Sequence, residues 1–156
     1  MKKILLIFLS SSPFIIGKFL SDLMMTTGIY GTSVTLFSMA FLALWFVIGI
    51  TSYKLSGSLK ESLVYGHMGG LVSLIMMFIQ TVILGRFFSN FVGFYTQMYF
   101  MPTLRIGGFI EETLLFFIKT HYMMPVAFIS LVLMVSVYAL GYKVAENRRM
   151  PIKTNN

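Results

Sequence analysis

Apolar residues in this 156-residue chain come in four long runs separated by shorter polar breaks, and none of the runs carries the regular polar face of a soluble amphipathic helix. A hydrocarbon core about 30 Å thick needs about 20 apolar residues at helical rise. Within that core every backbone amide must find its partner inside the segment. The pattern therefore predicts an all-α integral membrane protein, a single membrane domain over 1–156 with spans at 4–25, 34–52, 62–85 and 122–142.

The first run begins with Lys2 and Lys3 ahead of an apolar stretch, which has the outline of a secretory signal. Ser10, Ser11, Ser12 and Pro13 do not make a small-x-small cleavage site, and apolar residues resume at Phe14, so the run is read as an uncleaved span. Pro13 frees a backbone carbonyl, and the three serines before it are suitable local donors. Lys18 and Asp22 stand four apart on one helix face. The second run has no charge in its interior and holds Trp45, the only tryptophan. In the third, Ser58, Ser62, Gly66 and Gly70 recur every four residues, with Ser73 three further on. Such a stripe of small side chains lets two helix backbones approach closely, the usual basis of association in lipid. Ser62, Gly66, Gly70 and Ser73 are therefore the candidate helix-packing residues, toward a helix of this chain, a membrane-protein partner or a second copy.

The segment 86–121 breaks the pattern. Phe87 to Met101 is crowded with aromatics and interrupted by Ser89, Asn90, Gly93, Thr96 and Gln97, a mixture expected of an interfacial or re-entrant segment. Pro102, Gly107 and Gly108 read as punctuation. Phe109 to Thr120 then predicts an amphipathic helix along the membrane surface, with Glu111 and Glu112 in its first turn and Lys119 near its end, the charge order the helix dipole favours. Residues 143–156 form a basic tail.

Composition agrees with the class: 57% of residues are hydrophobic and 11% charged, where soluble domains carry roughly 25% charged, and mean hydropathy is +0.85. The absence of cysteine excludes disulfides and thiolate chemistry, and two histidines alone do not complete a zinc site. No cofactor is expected. The net charge of +7 is dispersed between the apolar runs, which points to the lipid bilayer and away from nucleic acid. With four spans and cytoplasmic termini, eight basic residues (Lys2, Lys3, Lys54, Lys60, Lys143, Arg148, Arg149, Lys153) lie inside and four (Lys18, Arg86, Arg105, Lys119) outside. That is the bias of the positive-inside rule, and the expected location is the cell membrane, a bacterial inner membrane.

Candidate chemistry is sparse. Glu111, Glu112 and His121 are the residue types of a membrane hydrolase. Prenyl-endopeptidase-type proteases carry Glu-Glu-x-x-x-Arg, but the arginine position here is Phe116, and the Phe-x-x-x-His pattern at Phe117 to His121 follows too closely. On one helix Glu112 and His121 face opposite ways. His67 lies near Tyr65 and Glu61 and is expected at the headgroup level; Gln80, about 140° around the helix from it, makes no common polar track. Arg86 and Arg105 flank the aromatic segment and suit lipid phosphate or an anionic ligand. The thirteen methionines are read as packing. The reading is a non-enzymatic interaction or accessory component of the membrane. The alternative is a small-solute transporter component or ligand-binding protein using His67, Gln80 and the outer arginines; the third is the hydrolase.

Overall fold

A computed structural model describes residues 2–86, 91–114 and 123–149. Among them every regular element is helical, with no strand. Four helices are long and apolar enough to cross a membrane: Lys3–Thr27, Thr32–Ser52, Leu59–Ile83 and Met123–Arg148.

Helix α1 (Lys2–Thr27) runs straight through Pro13. The proline removes the amide that would bond the Leu9 carbonyl, and the Ser12 hydroxyl donates to that carbonyl at 2.7 Å. Ser10 does the same for Ile7 at 2.8 Å. Gly28 and Gly31, both at φ 65°, turn the chain into α2 (Thr32–Ser52). At its other end α3 (Leu59–Phe78) is capped by Ser58, whose side chain accepts from the Glu61 amide at 3.2 Å, while the Glu61 carboxylate accepts from the Gly57 amide at 3.0 Å. This reciprocal arrangement satisfies amides that an open helix start would leave bare.

Helix α3 does not end where its α-helical bonding does. One π-helical turn, Ile79–Ile83, follows, with the Leu84 amide donating to the Ile79 carbonyl at 3.0 Å. The chain resumes at α4 (Phe91–Phe100), passes through a 3-10 turn at Met101–Thr103 into α5 (Leu104–Leu114), and finishes in α6 (Met123–Arg149). Lys143 to Arg149, read from the sequence as tail, continues α6; Lys143 bonds Glu146 one turn on at 2.6 Å.

Helices α2 and α6 cross with their backbones in close contact. A Cβ at Gly49 would collide with the Tyr138 carbonyl, and one at Gly141 with the Phe46 carbonyl. Each glycine thus seats the other helix's backbone, a contact any side chain would prevent. The same end of the bundle gathers the Lys3–Glu61 ion pair at 2.6 Å and the Tyr53–Tyr142 ring contact. We refer to it as the basic end, since Lys54 lies in its connection and Lys60 in the first turn of α3.

The segment after the third span packs among the long helices. Helix α4 enters between α1 and α3: the Met98 carbonyl lies against Gly17, and the Tyr99 ring fills the room left by Gly69 and Gly70 midway along α3. Phe100 joins Phe41, Trp45, Met77, Met134 and Tyr138 in the core, and Pro102 and Thr103 at the turn are buried. Irregular backbone at this depth is tolerated because protein surrounds it. Helix α5 then returns along α6.

This placement moves the start of the amphipathic helix expected at 109–120, of which 109–114 are described. The helix starts at Leu104, so Glu111 and Glu112 sit two turns in and not in a first turn. Gly107 and Gly108 are helical. Gly107 is buried, and a Cβ there would strike the Ser130 hydroxyl and meet the Val126 carbonyl at 3.1 Å. A glycine that reads as a breaker serves here as a close-packing surface. Phe87 to Asn90, the stretch 115–122 with Lys119 and His121, and 150–156 lie outside the described residues.

Candidate functional site

Ser62, His67 and Ser73 of α3 face inward, and the first two meet partners from other helices. Ser62, Gly66, Gly70 and Ser73 are all buried, and Met77 and Gln80 continue their face. What fills the stripe belongs to the same chain: Tyr138 lies on Gly66, and Leu131 and Tyr99 lie on Gly70.

His67 is 2% exposed and sits inside the bundle. Tyr65 and Glu61 do lie at the basic end, both against Lys3. His67 points to a different face, where Trp45 donates from its indole nitrogen to His67 Nε2 at 3.2 Å. An indole N–H only donates, so Nε2 carries no proton. The other ring nitrogen, Nδ1, lies 3.2 Å from the Leu63 carbonyl and is therefore the protonated one. The imidazole is neutral, with both nitrogens occupied. Tyr138 completes the cluster, its ring edge-on to His67 at 4.8 Å and its hydroxyl 2.8 Å from that of Ser62. Sequence reasoning singled out His67 and Ser62 but missed Trp45 and Tyr138. A buried indole needs an acceptor, and that requirement was the available signal.

Gln80 is fully buried within the π-helical turn and donates toward the Thr96 hydroxyl of α4 at 3.5 Å. Thr96 in turn donates to the Gly93 carbonyl at 2.9 Å. His67 and Gln80 are thus committed to different neighbours. No family model, curated protein or solved structure matches the chain. Its chemistry has to be read from the side chains themselves.

At the end of the bundle away from Lys3, the charged candidates separate. Arg86 is exposed where α3 ends, its amide donating to the Gln80 carbonyl at 2.9 Å. Arg105 and Glu112, seven residues apart on one face of α5, line a cleft of about 360 Å3 whose other walls include Met24, Tyr30 and Val34. Glu111 turns away from it and is buried at 4% exposure on the face that also carries Gly107. Neighbouring helical positions differ by about 100°, so the two glutamates serve different surroundings and do not form a carboxylate pair.

Proposed function

We propose that this membrane protein is a non-enzymatic interaction or accessory component of the cell membrane, with the end carrying α5 as its working surface. One observation carries the reading: three polar pairs inside the bundle are committed to one another, while exposed charged and apolar side chains of a short helix collect at one end. Trp45 is bound to His67, Ser62 to Tyr138 and Gln80 to Thr96. Outside, α5 displays Phe109 at 68% exposure beside Glu112, and Leu114 at 67% on the opposite side of its last turn. Exposed apolar side chains face lipid along the whole bundle, so what sets this surface apart is the charge of Glu112 beside Phe109 on a short helix, and the packing of α4 and α5 holds it rigid, which lowers the cost of binding. The α3 stripe is filled from within the chain, so the partner, another membrane protein or a second copy, meets α5 instead. The gathering of Lys3, Lys54, Lys60 and Lys143 at the basic end supports cytoplasmic termini in a bacterial inner membrane.

A second reading, a transporter component, is favoured by the π-helical turn at Gln80 beside the short helix α4, since π-turns and broken helices recur at functional sites. Photoreactive residues at Phe109 and Leu114, with Val47 as a lipid-facing control, separate the two. A discrete protein adduct from the α5 positions alone, with proteoliposomes no leakier than protein-free ones, is the expected result. Solute flux abolished by Gln80→Leu would replace the proposal with transport.

A further inference from the structure

The cleft beside α5 combines an apolar floor with two opposite charges and a gap between them. Met24, Val34, Met101 and Leu104 supply the floor; Arg105 and Glu112 stand at the wall. Between those two charges on the same helix face lies Gly108, and a Cβ built there would meet nothing within 4 Å. The missing side chain leaves an open saddle. Neither Arg105 nor Glu112 forms an ion pair with any described residue. Tyr30, 63% exposed at the rim, is the kind of side chain found at the headgroup level.

The geometry points to a binding site for a zwitterionic glycerophospholipid with a primary ammonium headgroup, its phosphate on Arg105, its ammonium on Glu112 and the start of one acyl chain on the methionine and leucine floor. The charge pattern selects the class. Arg presents a planar fork suited to phosphate oxygens, and a carboxylate accepts hydrogen bonds from an ammonium. A purely anionic headgroup would meet Glu112 and a purely cationic one Arg105, in each case a like charge. The two residues stand about 10 Å apart along the helix axis at 1.5 Å per residue, a span that their flexible side chains close around one headgroup. The volume, about 360 Å3, lies at the lower end of ligand sites, roughly 300–1,000 Å3. It holds a headgroup with the first methylenes and leaves the rest of the lipid in the bilayer. The site does not depend on the partner reading, because a lipid would seat here whether or not α5 meets another protein.

The test is lipid binding to the purified full chain in detergent micelles, read by native mass spectrometry and by lipid-dependent thermal shift. The probes are phosphatidylethanolamine, phosphatidylcholine and phosphatidylglycerol with identical acyl chains, and soluble glycerophosphoethanolamine. Phosphatidylethanolamine is expected to bind at least tenfold more tightly than the other three. Arg105→Ala and Glu112→Gln should each remove that preference, with Glu112→Gln improving phosphatidylglycerol. Gly108→Leu, whose Cβ has open space around it and whose branch would fill the saddle, should abolish binding while leaving lipid-free thermal stability unchanged or higher. Equal binding of the three lipids, a preference that survives both charge substitutions, or soluble headgroup binding as tightly as lipid would each overturn the proposal.

Discussion

Toward the basic end, the bundle consists of long helices in direct contact, and its buried polar atoms come as matched pairs, Trp45 with His67 and Ser62 with Tyr138. Toward the other end, two short helices are wedged among the long ones, and the fit is made by shape. Tyr99 and Ser130 are buried there with hydroxyls that lack a hydrogen bond of ordinary geometry among the described residues. The contrast between two tyrosines is instructive. Tyr138 is held by its oxygen and its ring together, whereas Tyr99 is held by its ring, which fills the space beside Gly69 and Gly70 and stacks edge-on to Phe14 and Phe100. Leaving a buried hydroxyl without a partner costs about 1–3 kcal/mol, and the packing of a large aromatic side chain offsets it.

The comparison can be broken most directly at the α2–α6 crossing. Gly49→Leu places a side chain on the Tyr138 backbone and is expected to cost about 3 kcal/mol or more, read as a collapse of monodisperse yield and thermal stability in detergent. Stability equal to that of the parent chain would show that this half does not depend on close backbone contact. Next in size is Trp45→Phe, which leaves His67 Nε2 without its donor and a void beside it; about 2–3 kcal/mol should be lost, measured by thermal or denaturant unfolding in micelles. The sharpest test is a matched pair. Tyr138→Phe should lose about 1 kcal/mol with its hydrogen bond to Ser62, while Tyr99→Phe, which removes a hydroxyl with no hydrogen bond of ordinary geometry, should cost less than that or be neutral. If both substitutions shift the midpoint equally, the two halves do not differ in the way described. Smallest is Lys3→Gln, which removes the exposed pair with Glu61. Its effect should be small at low salt and vanish at high salt.

The same division marks how far the sequence could be read. The four spans were visible because continuous apolar length is a local property, as was the serine relief of Pro13, where donor and carbonyl lie three residues apart. The segment 91–114 was harder, since a glycine that ends a helix and a glycine that admits a neighbour are the same letter. Only Ser130 and Val126, brought up by α6, decide that Gly107 is the second kind. His67 illustrates the limit at the candidate site. Its neighbours in sequence, Glu61 and Tyr65, pointed to an interface, but the partner that fixes its tautomer is Trp45, on another helix. Arg105 and Glu112 were recognised singly, and their common cleft depended on where the α1–α2 turn comes to rest beside α5.

The glycine crossing also bears on the order of synthesis. Ser62 and Tyr138 are separated by 76 positions, and Phe46 and Gly49 wait still longer for the helix that covers them. The first three spans therefore enter the bilayer before α6 exists. Trp45 and His67 can find each other at once, but the glycine face of α2 and the Gly66 stripe stay uncovered until nearly the whole chain has left the ribosome. During that interval the nascent protein offers two helix-association faces to any passing span, and a premature stop before α6 would leave them permanently open to membrane quality control.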